Sequence, residues 1–78
     1  MMNIKINHTA HLKLKGIEPG QTASLEPGTS VADLLRRAGV QESHLQFVTP
    51  YVNGKEVRIH HVLQDNDELK LFLPVGGG

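Results

Sequence analysis

A chain with one good helix can bury its apolar residues only by laying that helix across a sheet, and this sequence marks one helix better than any other element. Ser30 stands where a side-chain oxygen can cap the first turn, and Asp33 lies three residues later near the positive end of the helix dipole. Val31, Leu34, Leu35 and Ala38 recur at i, i+3, i+4 and i+7, which puts them on one face. Arg36 and Arg37 fall in the last turn, where cations are favoured, and Gly39 comes next, where a left-handed cap is expected. The pattern predicts a helix over residues 31–38 with one apolar face to cover.

Most of the remaining apolar residues alternate with polar ones. In residues 2–7 (MNIKIN), Ile4 and Ile6 face one way and Lys5 and Asn7 the other, the period of a half-buried strand. Leu12 and Leu14 also alternate with Lys13 and Lys15, but Gly16, Pro19 and Gly20 break the pattern beyond Lys15. Strands are therefore expected at 2–7 and 20–26, the second with Ala23 and Leu25 inward, joined by an elaborated connection over 8–19. Residues 47–53 (FVTPYVN) read as a strand with Val48 and Val52 inward and Thr49 and Tyr51 outward, and Pro50 places it at an edge or makes it irregular there. Asn53-Gly54 signals a tight turn into KEVRI. QDND at 64–67 is a polar turn, and ELKLFL at 68–73 is a last strand with Leu69, Leu71 and Leu73 inward and Lys70 and Phe72 outward. The fold class is α+β: a mixed sheet of four to five strands with one main helix. A single domain over 1–73 is followed by residues 74–78 as a flexible C-terminal glycine tail.

Seventy-eight residues suffice for one core and not two, and a domain of that size buries only about 60% of its unfolded surface. Eight Lys+Arg against eight Asp+Glu remove the electrostatic signature of a nucleic-acid binder, so no nucleic-acid partner is expected. No apolar run reaches membrane-span length and the first residues lack a signal-peptide block, so neither a membrane partner nor export is expected. The absence of Cys removes disulfides, thiolate catalysis and Cys-ligated zinc, and suits a cytoplasmic location.

The chemistry in this sequence lies in its last residues. Pro74-Val75-Gly76-Gly77-Gly78 succeeds the final strand, and a glycine run can enter a channel too narrow for residues that carry a Cβ. A terminal carboxylate is ionised at pH 7 and a poor electrophile, so its use as an acyl donor or sulfur acceptor requires activation, as in an acyl-adenylate made from ATP. The chain has no GxxxxGK[ST] loop, so ATP is expected to be bound by the activating partner and no cofactor by this protein.

In its ordered pattern NIKI, SVADLL, YVNG and QDNDELKLFLPVGGG, the chain resembles the ubiquitin-like sulfur carriers of the ThiS/MoaD family. The DNDEL…LPVGGG portion is the specific part of that likeness. The resemblance implies a β-grasp fold and a non-enzymatic carrier. It also implies that an E1-like adenylyltransferase of the MoeB/ThiF type activates the carboxylate of Gly78 for conversion to a thiocarboxylate. Gly77 is then the second member of the diglycine, and Gly76 adds reach. The implied sulfur donor is a cysteine desulfurase or a rhodanese. The implied acceptor is a synthase subunit, either the large subunit of molybdopterin synthase or thiazole synthase. LFLPV leans slightly toward molybdopterin, and the residues do not choose between the two pathways. The segment 8–19 matches the family poorly.

Alternation puts Phe72, Thr49 and Tyr51 on the open face of the sheet, and with Pro74 and Val75 they form the expected partner interface. His60 and His61, as neighbours on a strand, would point to opposite faces, and His8, His11 and His44 are expected in solvent, so no metal site is predicted. Asp65, Asp67 and Glu68 are expected to form a solvated turn. Two other functional classes fit the same tail: a ubiquitin-like modifier joined through Gly78 to target lysines, and an interaction module whose tail is inert.

Overall fold

The computed structural model describes residues 1–9, 12 and 14–73. Along the chain run β1 (Met2–His8), β2 (Gln21–Leu25), α1 (Val31–Arg37), α2 (Glu42–Leu45), β3 (Thr49–Val52), β4 (Lys55–Glu56) and β5 (Glu68–Phe72). Among the described residues the five strands form one sheet in the order β2-β1-β5-β3-β4. The central pair, β1 and β5, is parallel, with Ile6 opposite Leu69 and His8 opposite Leu71. The flanking pairs are antiparallel. This is the β-grasp arrangement, with the start and the end of the domain side by side in the middle of the sheet.

Helix α1 forms where its pattern placed it because both ends are satisfied. Ser30 Oγ accepts the Asp33 amide at 3.1 Å, and the Asp33 carboxylate accepts the Ser30 amide at 3.2 Å. These reciprocal bonds make a capping box. The next two free donors, the amides of Val31 and Ala32, bond to the carbonyls of His61 and Ile59 at 3.0 and 2.7 Å. The loop after β4 is thus tied to the helix start, because unpaired amides there would cost free energy if buried. At the other end Gly39 donates to the Arg36 carbonyl and Val40 to that of Leu35, the Schellman pattern, with Gly39 at φ 91. A Cβ at Gly39 would also lie 3.3 Å from the Lys15 stem.

The core lies between α1 and one face of the sheet. Ile4, Ile6, Leu69 and Leu71 from the central strands, Val31 and Leu35 from α1, and Leu63 are nearly or fully buried. Leu12, Leu14, Leu45 and Val48 close its margins. Ala23, Ile59 and Leu73 are half-buried against this cluster. The leucines of residues 12 and 14 therefore serve the core from the connection, outside any strand. No described helix is long and apolar enough to cross a membrane.

Four details depart from the sequence expectation. The polar stretch after α1 contains α2, a single turn whose apolar contribution is Leu45, so it has no periodicity to reveal it. β3 begins at Thr49 rather than Phe47, and Phe47 stands 55% exposed in the turn after α2. β3 is second from the edge rather than at it. Pro50 is accommodated because its nitrogen faces the β4 side, where the two-residue β4 has ended, so the missing donor interrupts no ladder bond to β5. His60 and His61 lie in a turn, not on a strand, because the loop has left the sheet to meet α1.

Candidate functional site

The open face of the sheet is built from the residues that alternate with the leucines. On β5 these are Glu68, Lys70 and Phe72, all exposed, with Phe72 43% exposed. The antiparallel register sets Thr49 opposite Phe72 and Tyr51 opposite Lys70. Tyr51 and Phe72 are diagonal neighbours, and their rings meet edge to face with centroids 5.4 Å apart and planes at 86°. The sequence expectation for Thr49, Tyr51 and Phe72 therefore agrees with where the structure places them: together, on one face. Pro74, Val75, Gly76, Gly77 and Gly78 lie outside the described residues.

Two shallow depressions meet at Lys70 and Phe72. One is lined by Tyr51, Gly54, Lys70 and Phe72. The other is lined by Asn7, His8, Thr9, Lys70, Leu71 and Phe72. Lys70 and Phe72 are common to both, so a partner gripping either depression meets the same cation and the same ring. Lys70 was legible from alternation alone, yet an exposed lysine on a strand carries no chemical signature that marks it. Thr9, just beyond β1, reaches across to the end of β5. Its amide donates to the Leu71 carbonyl at 3.2 Å, and its hydroxyl accepts the Leu73 amide at 3.4 Å. These contacts hold the last described residues against the parallel neighbour, two residues before Val75.

The tight turn after β3 and the turn before β5 are joined by a network that the sequence did not reveal. Asn53 and Gly54 have φ 52 and 85, the left-handed pair of a type I′ hairpin turn. The Asn53 side chain donates to Asp67 at 2.9 Å and accepts the Glu68 amide at 2.9 Å. The second Asp67 oxygen accepts the Gln64 amide at 2.9 Å, and Asp67 is buried. Asp65 Oδ1 accepts the Asn3 amide at 2.8 Å. The expected solvated acidic turn is thus partly interior: Asp67 is a structural acceptor, taking the Gln64 amide of its own turn and the side-chain amide of Asn53. YVNG and DNDE, separated in sequence, are two halves of one clamp that orients β5.

His8 also departs from expectation, being half-buried with both ring nitrogens near backbone carbonyls. His44 is exposed as expected, and His11 lies outside the described residues. Among the described residues no cluster of three or more His, Asp or Glu side chains is arranged to hold a metal ion. The shifted titrations belong to α1, away from the open face. Hydrogen bonds from the Ser30 backbone, then from its side chain, hold the Asp33 carboxyl below the usual range. The bond to Glu42, which ties α1 to α2, raises the Arg36 guanidinium.

The sequence matches the model of the ThiS family over residues 4–78. No curated protein sequence matches the chain. A crystal structure of SAMP1 from Haloferax volcanii superposes with a TM-score of 0.68 at 21% identity, covering 97% of this chain and 99% of that one. A second crystal structure, of small archaeal modifier protein 1 from H. volcanii, gives a TM-score of 0.69 at 19% identity, covering 96% of this chain and 100% of the other.

Proposed function

Because this chain belongs to the ThiS family of ubiquitin-like carriers, we propose that it carries sulfur as a thiocarboxylate on Gly78 for cofactor biosynthesis of the molybdopterin or thiamin type. The observation that carries this reading is the family match that runs through Gly76-Gly77-Gly78, on a domain whose last strand ends at the exposed Phe72, paired edge to face with Tyr51. An E1-like adenylyltransferase of the MoeB/ThiF type binds the ATP. The Gly78 carboxylate attacks the α-phosphorus, pyrophosphate leaves, and an acyl-adenylate results. The terminal sulfur of a persulfide, supplied by a cysteine desulfurase or a rhodanese, displaces AMP to give an acyl disulfide. A second thiolate of the donor then attacks that disulfide, which releases the thiocarboxylate and leaves the donor oxidised. The chain supplies no catalytic side chain to these steps. Its contribution is affinity through Phe72, Tyr51 and Thr49, and reach through Pro74 to Gly78. The same face docks in succession on the activating enzyme and on the accepting synthase subunit.

Mass spectrometry of the peptide released by cleavage after Lys70, from protein isolated from its native host, tests this reading. Replacing oxygen by sulfur adds about 16 Da, the nominal change also produced by oxidising one methionine. The peptide LFLPVGGG contains no methionine, so the same shift there places sulfur on the tail. An unmodified peptide after incubation with ATP, persulfide donor and the cognate activating enzyme rejects the proposal.

A second reading comes from the likeness to a small archaeal modifier protein. In it the activated Gly78 is attacked by a lysine amine to form an isopeptide bond. Conjugates in native extracts that vanish on deletion of Gly78 distinguish this reading, because a carrier devoted to sulfur forms none.

A further inference from the structure

Among the asparagines of the chain, Asn53 alone precedes a glycine. In such a pair the backbone nitrogen of the second residue can attack the side-chain carbonyl carbon of the first, and a glycine, lacking a Cβ, leaves that nitrogen open to the approach. The fold leaves it free as well. Among the described residues the Gly54 amide donates to no other group, the residue is exposed, and the space where a Cβ would stand is empty out to 4 Å.

The carboxamide that would be attacked is anchored elsewhere. The Asn53 amide donates to the Glu68 carbonyl and Asn53 Oδ1 accepts the Glu68 amide, both at 2.9 Å, so the side chain is drawn toward the start of β5. Because the Glu68 amide can only donate, Oδ1 is the atom that faces it, and Nδ2 is the atom that donates to Asp67 Oδ1 at 2.9 Å. Asp67 is itself fixed, since its second oxygen accepts the Gln64 amide and the residue is buried. Bringing Asn53 Cγ onto the Gly54 nitrogen requires the carboxamide to turn away from both partners.

We propose that Asn53 is a deamidation site held in reserve by this clamp, and that its conversion to a carboxylate opens the join between the turn after β3 and the start of β5 irreversibly. In the reaction the Gly54 nitrogen gives its proton to solvent base and bonds to Asn53 Cγ. The Cγ–Nδ2 bond breaks and ammonia leaves a cyclic imide. Water then adds to one or other imide carbonyl and breaks its bond to nitrogen, leaving aspartate or isoaspartate. The sum is amide plus water giving acid plus ammonia, with no change of oxidation state. The reactive conformer arises by local opening of the turn while the core stays folded. The product cannot close the clamp again: an ionised carboxylate only accepts, so the bond to Asp67 becomes two acceptors face to face. The site lies in the globular body and stands whether or not Gly78 is activated.

The test follows deamidation at mildly alkaline pH by mass spectrometry. The peptide of residues 38–55, released by cleavage after Arg37 and Lys55, holds Asn53 as its one asparagine, and fragmentation places the change from amide to acid. A zero-time sample fixes what digestion itself adds. The folded full chain is expected to react more slowly than a synthetic peptide of the same residues by roughly tenfold or more, the scale of one hydrogen bond to a charged acceptor. Asp67→Ala is expected to recover most of that rate. Should Asp67→Ala not fold, Asp67→Asn, which removes the charge and keeps an acceptor for the Gln64 amide, is expected to accelerate the reaction in the same direction. Ser30→Ala, which removes the α1 cap and leaves the clamp intact, is expected to stay near the wild-type rate. Asn53→Asp, which installs the carboxylate directly, is expected to lower the urea midpoint. A folded chain that reacts as fast as the peptide, an Asp67 variant no faster than wild type, or Ser30→Ala accelerated as much as the Asp67 variant overturns the protected site. An Asn53→Asp midpoint equal to wild type overturns its consequence for the clamp.

Discussion

The two faces of β5 show how one five-residue strand serves two purposes. Leu69 and Leu71 are fully buried against the helix side, whereas Lys70 is exposed and Phe72 43% exposed on the other. The inner residues are held by dispersion and exclusion of water, so removing their methyl groups leaves a cavity that the surroundings fill only in part. The outer residues touch mostly solvent and each other, so their loss is felt when a partner arrives. Stability and recognition are therefore separable along one strand, because a two-residue period sends consecutive side chains into different environments.

The largest effect expected is on the inner face. Leu71→Ala should cost about 2–5 kcal/mol, read as a lower urea midpoint. That is a large share of the roughly 4–12 kcal/mol typical of a domain this size. A shift below about 1 kcal/mol would break the comparison, since the inner face would then tolerate a void. Next in size is the clamp that orients β5. Asn53→Ala should cost about 2–3 kcal/mol, from two lost side-chain bonds and a Cβ-bearing residue without Asn's tolerance of positive φ. Asn53→Gly retains the turn conformation and loses the bonds to Asp67 and Glu68, so its smaller cost isolates the bonds from the backbone.

On the outer face, Phe72→Ala should change stability by less than about 1 kcal/mol. Under the proposed function it should weaken binding to the activating enzyme by about tenfold or more, measured by calorimetry. Loss of cooperative melting in that variant would mean that the ring supports the core and that the two faces are not separable. The smallest effect concerns the helix cap. Asp33 has its pKa lowered in the folded state, so its contribution is present above the unfolded value near 4. That contribution is lost as pH falls through the lower folded value. Asp33→Asn should flatten this part of the acid limb of a stability profile, below the unfolded value near 4, with the rest of the profile unchanged.

Much of the fold was legible because its signals are local. Ser30, Asp33 and Gly39 bracket α1, Asn53-Gly54 makes its turn, and the alternation in β1 and β5 puts Ile4, Ile6, Leu69 and Leu71 inside. α2 was hidden because a single turn anchored by Leu45 has no period to detect. The candidate site was half legible. Alternation grouped Thr49, Tyr51 and Phe72 on a face, but their mutual distances depend on the register between β3 and β5, which no residue on either strand encodes alone.

The sequence by itself determined the periods, the caps, the turns and the glycine ending, because each rests on backbone preferences and contacts within a few residues. Tertiary structure decided the rest. It made Asp67 an interior acceptor, brought YVNG to DNDE, set the two ring nitrogens of His8 against the carbonyls of Thr9 and Ile17, and found a place beside a short β4 where Pro50 breaks no bond to β5. Most of those outcomes join residues far apart in the chain, and a polar group there takes its role from whichever donors and acceptors the packed backbone leaves unpaired.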